Sequence, residues 1–212
     1  MSQLNQPNHP NAPANAGALP EIPLFPLNSI LAPGGRLALK LFETRYLDMA
    51  ARCMREKSPF GVALIKEGGE VGAPALSHTL GTTARIVDWD MSQPGLLFIT
   101  VQGEQRFQIE ERRVASDRLQ YARVRYLPEP APQPVPTRLA AMLPLLTAVL
   151  ADAGETRFPP PHRLDDATWV GYRMADILPI PPLARQRLLE LDDTLSRLEI
   201  IDAYLRQHKL VK

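Results

Sequence analysis

A single cysteine, Cys53, stands in a chain of 212 residues, so no internal disulfide can form and no thiolate cluster can hold a metal. A reduced, cytoplasmic setting is expected. The four histidines, His9, His78, His162 and His208, are scattered and form neither an i, i+4 pair nor the His/Cys/acid cluster that zinc or iron requires. Neither charge sign dominates: 24 Lys and Arg face 23 Asp and Glu, a formal +1, which gives no whole-protein field toward nucleic acid or an anionic membrane. No apolar stretch approaches the roughly 20 residues needed to span a bilayer, so no membrane contact is expected. Residues 1–18, rich in Asn, Pro and Ala, lack a basic start followed by an apolar stretch and read as a disordered tail. Phosphate-loop and dinucleotide fingerprints are missing too, because Gly68-Gly69-Glu70-Val71-Gly72 has neither spacing. No cofactor is implied.

What the chain has in quantity is proline, 22 in all, and apolar residues, 45% of the total, enough for a real core. The opening Ile22-Pro23-Leu24-Phe25-Pro26-Leu27 loses two backbone donors, so this strand should lie at an edge or seam. A Pro33-Gly34-Gly35 turn leads to a strand over Leu37 to Phe42. Glu43 can accept from the free amides of the next helix, whose Leu47, Ala50, Ala51 and Met54 fall on one face. Phe60 to Ile65, Leu80 to Trp89 and Leu96 to Val101 are strand-like, with Ser92 to Gly95 a turn and Gln102-Gly103-Glu104 a second turn candidate. Ala122, Val124 and Tyr126 alternate with arginines as a half-buried strand does. The sum is six or seven strands and one helix over residues 19–127, an α+β, mostly antiparallel barrel.

From 128 to 136 every second residue is proline, which favours a stiff extended linker over a docking ligand. Residues 137–212 read as a helical bundle. Leu139, Met142, Leu143, Leu146, Val149 and Leu150 line one face, with Pro144 kinking that helix or moving its start. Asp165 or Asp166 caps the next helix, Pro181-Pro182 opens a short one, and Asp193 or Thr194 caps the last. Chemistry-bearing constellations are absent. Ser77-His78 lacks a nucleophile elbow and reads as a loop. Cys53, Trp89 and Trp169 read as core, and Arg112, Arg113, Arg118, Arg123 and Arg125, diluted by Glu110 and Glu111, read as a solvated strand face.

An ordered string of motifs carries a family resemblance. Leu24-Phe25-Pro26-Leu27, Pro33-Gly34, Leu39 through Phe42-Glu43-Thr44-Arg45-Tyr46, Phe60-Gly61-Val62, Gly81-Thr82, Ala84-Arg85-Ile86 and Gly103 to Phe107 are followed by Trp169 to Arg173 and Leu189 to Asp193. Together they resemble the substrate-binding N-terminal domain of Lon-type ATP-dependent proteases over about residues 20–208. Thr44 stands where that family often has proline, a change that a helix start tolerates. The resemblance implies a PUA-like pseudobarrel with one helix, followed by a C-terminal helical bundle. The chain ends at Lys212, where a Lon protease continues into a long helix, an ATPase module and a Ser-Lys peptidase, so no protease activity carries over.

The function so implied is a non-enzymatic module, in protein quality control or as an adaptor. It would bind unfolded or apolar polypeptide segments and work beside a protease or chaperone. The site is expected at the seam between barrel and bundle, with Phe25, Leu27, Phe42 and Tyr46 as candidate contacts. The alternative is an RNA-binding PUA-like protein using the arginines near 112–125. Small-molecule hydrolysis ranks lowest, since no convergent titratable set supports it.

Overall fold

The prolines of the opening segment come to rest where a strand changes partner. In the computed structural model, which describes residues 19–211 apart from the Ser92 side chain, β1 (Glu21–Leu27) runs between β6 (Gln120–Tyr126) and β3 (Phe60–Glu67). Residues 21–24 pair antiparallel with β6 and residues 24–27 pair parallel with β3. β1 is therefore a seam and not an edge. The Val124 amide donates to the Pro20 carbonyl at 2.9 Å, which makes Glu21 and Arg123 a wide pair and turns the Pro23 nitrogen away from β6. Its missing donor costs that ladder nothing.

β2 (Arg36–Leu41), β4 (Leu76–Gln93) and β5 (Leu96–Val114) complete a sheet of order β2-β5-β4-β3-β1-β6. A further β5–β6 pairing closes five of the six strands into a ring. β5 makes this possible by its length: one edge takes β2 along its first part and β6 along its second, while β4 follows the other edge. The turn expected at Gln102-Gly103-Glu104 does not form, because β5 runs straight through it. Gly103 is needed for close approach instead. A Cβ there would stand 2.3 Å from the Ala32 carbonyl oxygen. Its amide and carbonyl bond the Gly35 carbonyl (2.9 Å) and the Gly34 amide (2.8 Å). Ser77 and His78 likewise lie within β4 and not in a loop.

Helix α1 (Thr44–Glu56) buries Tyr46, Met49, Ala50 and Cys53 together with Arg45, a face rotated by one residue from the expected Leu47, Ala50, Ala51 and Met54. The aromatic contacts account for the phase: the Tyr46 ring lies 4.3 Å from that of Phe25, which is 6.2 Å from Phe60. Glu43 does not cap the helix with its side chain. Its carboxylate accepts from Arg45 at 2.8 Å, and only its main-chain carbonyl receives the first helical amides.

The second half holds a 3-10 turn (Thr137–Met142), α2 (Leu143–Arg157), α3 (Ala167–Ile177), α4 (Pro182–Glu190) and α5 (Thr194–Gln207). Pro144 moves a helix start rather than kinking it: α2 begins at Leu143 with the proline in its first turn. Asp166 accepts from the Thr168 amide (3.0 Å) and Asp193 from the Ser196 amide (2.6 Å), so each caps its helix. Leu139, Met142, Leu146, Val170, Met174, Leu198 and Ile201 form the bundle core.

One expectation needs correcting on the same ground. Thr137–Arg157, at 21 residues, is long and apolar enough to cross a membrane by length and composition. Arg138, Thr147 and Asp152 interrupt its apolar residues. Here it is divided into a 3-10 turn and a helix, and it supplies four residues to the core.

Candidate functional site

Three of the four expected contacts are interior. Phe25, Leu27 and Tyr46 belong to the barrel core with Met49, Phe60 and Leu97, and burial pushes the Tyr46 hydroxyl above the usual tyrosine value against the pull of Arg45. Only Phe42 faces solvent, 52% exposed. The four cannot act as one surface, because proline-flanked β1 and the buried face of α1 are what hold the barrel together.

The seam between barrel and bundle is filled as well. Arg106 of β5 is fully buried there. It donates to Glu129 (3.0 Å) and to the carbonyls of Leu189 (3.0 Å) and Leu191 (3.3 Å), and it pairs with Asp192. From α5, Arg197 donates to the carbonyls of Leu188 and Leu191 and lies 4.3 Å from the centre of the Tyr172 ring. Tyr172 donates in turn to Glu129 at 2.7 Å. Gln186 reaches the Leu80 carbonyl, and Arg173 the Pro33 carbonyl. The proline-rich 128–136 segment is thus fastened down: Glu129 joins this network, and the Gln133 carbonyl accepts from the Ala167 amide at 2.8 Å.

Exposed apolar side chains gather elsewhere, on the free end of β2, β5 and β4. Phe98 (41% exposed) is the cross-strand partner of Lys40 and of Asp90, so the three side chains share the outer face. The Lys40 ammonium sits 5.9 Å from the Phe98 ring centre. Phe42 lies just past the end of β2 and borders a separate small hollow with Lys40, Glu43, Glu70 and Val71. A shallow depression of about 320 Å³ lies beside Phe98, lined by Ala38 to Lys40, Asp88 to Asp90 and Phe98 to Thr100. Trp89 (59% exposed) pairs with buried Ile99 and so projects to the opposite face. There it borders a hollow edged by Met54, Lys57 and Ile86.

Sequence reading missed Phe98 and Trp89 by assigning bulk to the core. A signal existed: Leu96-Leu97-Phe98-Ile99 is a longer apolar run than a strand with one buried face requires. A second apolar groove, also about 320 Å³, lies between α4 and α5 and is walled by Ile180, Leu188, Leu191, Ile200 and Tyr204.

The basic strand face is largely neutralised. Arg113 pairs with Glu21, Arg123 with Glu111 (3.1 Å) and Arg125 with Glu110 (3.0 Å). Arg112 turns inward to the carbonyls of Ser77 and His78. Cys53 is buried, and burial pushes its thiol up, away from the reactive thiolate. Among the described residues no group of three or more His, Cys, Asp or Glu is placed to hold a metal.

Comparison with known proteins fits this arrangement. The family model of the ATP-dependent protease La (LON) substrate-binding domain matches residues 21–207. The Lon protease of Paraburkholderia phytofirmans is 28% identical over 204 residues, covering 91% of this chain and 25% of the relative. The chain therefore spans about a quarter of the length of the curated relatives it matches. The crystal structure of a Lon N-terminal domain protein from Xanthomonas campestris superposes with a TM-score of 0.73 at 33% identity, over 88% of this chain and 99% of that one. The N-terminal domain of the Mycobacterium avium complex Lon protease shares the fold, with a TM-score of 0.64 at 19% identity over 89% of this chain and all of that one. With its barrel, its bundle and nearly its whole length matched, the chain belongs to the LON substrate-binding domain family.

Proposed function

We propose that this protein is a polypeptide-binding module whose contact surface is the outer face of β2, β5 and β4. The observation that carries this reading is exposed Phe98 beside Lys40 in a shallow depression, with exposed Phe42 just beyond the end of β2. Large apolar side chains left in water on a strand face favour a partner that covers them. Membership in a substrate-binding family supports the same class of ligand. A role in cytoplasmic quality control, presenting bound segments to a protease or chaperone, is the biological setting this reading supports.

The test is a titration of the labelled full chain with reduced, carboxymethylated lactalbumin, a protein that stays unfolded. Wild type is expected to bind at micromolar concentrations. Replacing Phe42 and Phe98 together by alanine is expected to weaken binding about tenfold or more, the worth of one to two buried aromatic side chains. Absence of wild-type binding at high micromolar concentration would sink the proposal.

A further inference from the structure

We infer that the free edge of β2 takes an extended polypeptide segment by strand addition, with a preference for segments that alternate apolar residues with neutral or acidic ones. This inference rests on the polypeptide-binding reading and names how the ligand is held.

The edge follows from the ladder. Among the described residues, β2 ends the sheet order and pairs only with β5. The Gly103 amide donates to the Gly35 carbonyl, which fixes Arg36 and Gln102 as a wide pair. With no register shift along the strand, Leu37, Leu39 and Leu41 spend their main-chain groups on β5, while those of Arg36, Ala38 and Lys40 point outward. The Arg36 side chain is tied to the Thr156 carbonyl at 3.2 Å, so the accessible run starts near Ala38. Ala38, Lys40 and Phe42 are all exposed. Among the described residues, no hydrogen bond reaches the main-chain groups of Ala38 and Lys40 on that side. A strand laid here would recover those bonds, which are indifferent to ligand sequence.

Side chains supply the preference. Leu37 and Leu39 are only half-buried where they pack on the core, so alternate apolar residues of an added strand would cover them. On the outer face the ligand's other residues would fall beside Ala38 and Lys40. Arg36 and Lys40 are the charged residues of β2 and both are basic, which favours an acidic neighbour and disfavours a basic one. The same charges act against a second copy as occupant. The antiparallel register that centres two β2 strands on Ala38 sets Arg36 against Lys40.

Residue-resolved amide exchange by NMR on the full chain tests this. The probe is a short peptide alternating valine or phenylalanine with glutamate, run beside its lysine counterpart. The glutamate peptide is expected to slow exchange at Ala38 and Lys40 by about tenfold or more, leaving Leu37 and Leu39, already bonded to β5, unchanged. Ala38→Pro removes an outward donor without touching a β5 bond and is expected to weaken binding about two- to tenfold.

Should that variant fail to fold, Lys40→Glu decides the matter by reversing the preference between the two peptides. Peptide binding without protection at Ala38 and Lys40, with no reversal in Lys40→Glu, overturns strand addition and leaves the proposed function standing. So does a peptide that fails where unfolded lactalbumin binds. Failure of both ligands overturns the proposed function as well. Protection that instead grows with protein concentration, without peptide, assigns the edge to a second copy and overturns the inference.

Discussion

Arg106, Arg173 and Arg197 are among the largest fully buried side chains in the protein; Arg106 and Arg173 reach from one half of the molecule to the other, while Arg197 braces the helical side of the junction. A guanidinium in a dry interior is tolerated only when its donors are met. Arg106 meets its need on two of its three nitrogens, with Glu129 from the proline-rich segment, the carbonyls closing α4, and Asp192 as partners, while its Nη2 is buried without a hydrogen bond. Because the arginine sits at the centre, removing it takes a donor from two separate segments, the one around Glu129 and the one from Leu189 to Asp192. Arg106→Met, which keeps the stem's bulk, is expected to cost about 3 kcal/mol of stability. Urea unfolding followed by circular dichroism checks this. A loss below about 1 kcal/mol would mean that the other partners of these acceptors, Tyr172 and Arg197, suffice and that Arg106 does not fasten the two segments.

At the scale of elements, local signals held at the starts of α3 and α5, though not at Glu43, whose carboxylate turns to Arg45 instead of capping α1. Asp166 accepts the Thr168 amide and is itself buried at the start of α3, so Asp166→Ala is expected to cost about 1 kcal/mol and to show as a lower midpoint in the same unfolding assay. The proline-capped starts of α2 and α4 were legible for the same reason, since a residue without an amide fits a first turn. Elements decided by distant partners were not. The phase of α1 is set by Phe25 and Phe60, far off in sequence, and the straight run of β5 through Gly103 is set by a loop some seventy residues earlier. Likewise, nothing in periodicity distinguishes Phe25, which fills the core, from Phe42, which faces water. Of the four expected contacts only Phe42 is exposed, because exposure on a strand depends on which face the rest of the barrel covers.

For the molecule as a whole, the junction raises the question whether barrel and bundle stand or fall together, and tyrosine ionisation gives a way to ask it. Burial pushes the hydroxyls of Tyr46 and Tyr126 in the barrel, and of Tyr172 at the junction, above the usual tyrosine value. Unfolded tyrosines ionise near pH ~10. The folded state thus keeps protons that the unfolded state releases, so this contribution is fully present below about pH 10 and is lost as pH rises toward the folded values. Tyr172 also donates to Glu129, the carboxylate that Arg106 holds, so losing its proton loosens the contact shared by both halves. Alkaline unfolding is accordingly expected to begin above about pH 10. Hydrogen exchange read separately on β3 and α5 should then accelerate at the same pH. If β3 opens at a distinctly different pH from α5, the 128–136 segment is a linker between independent units and the buried arginines do not bind them into one.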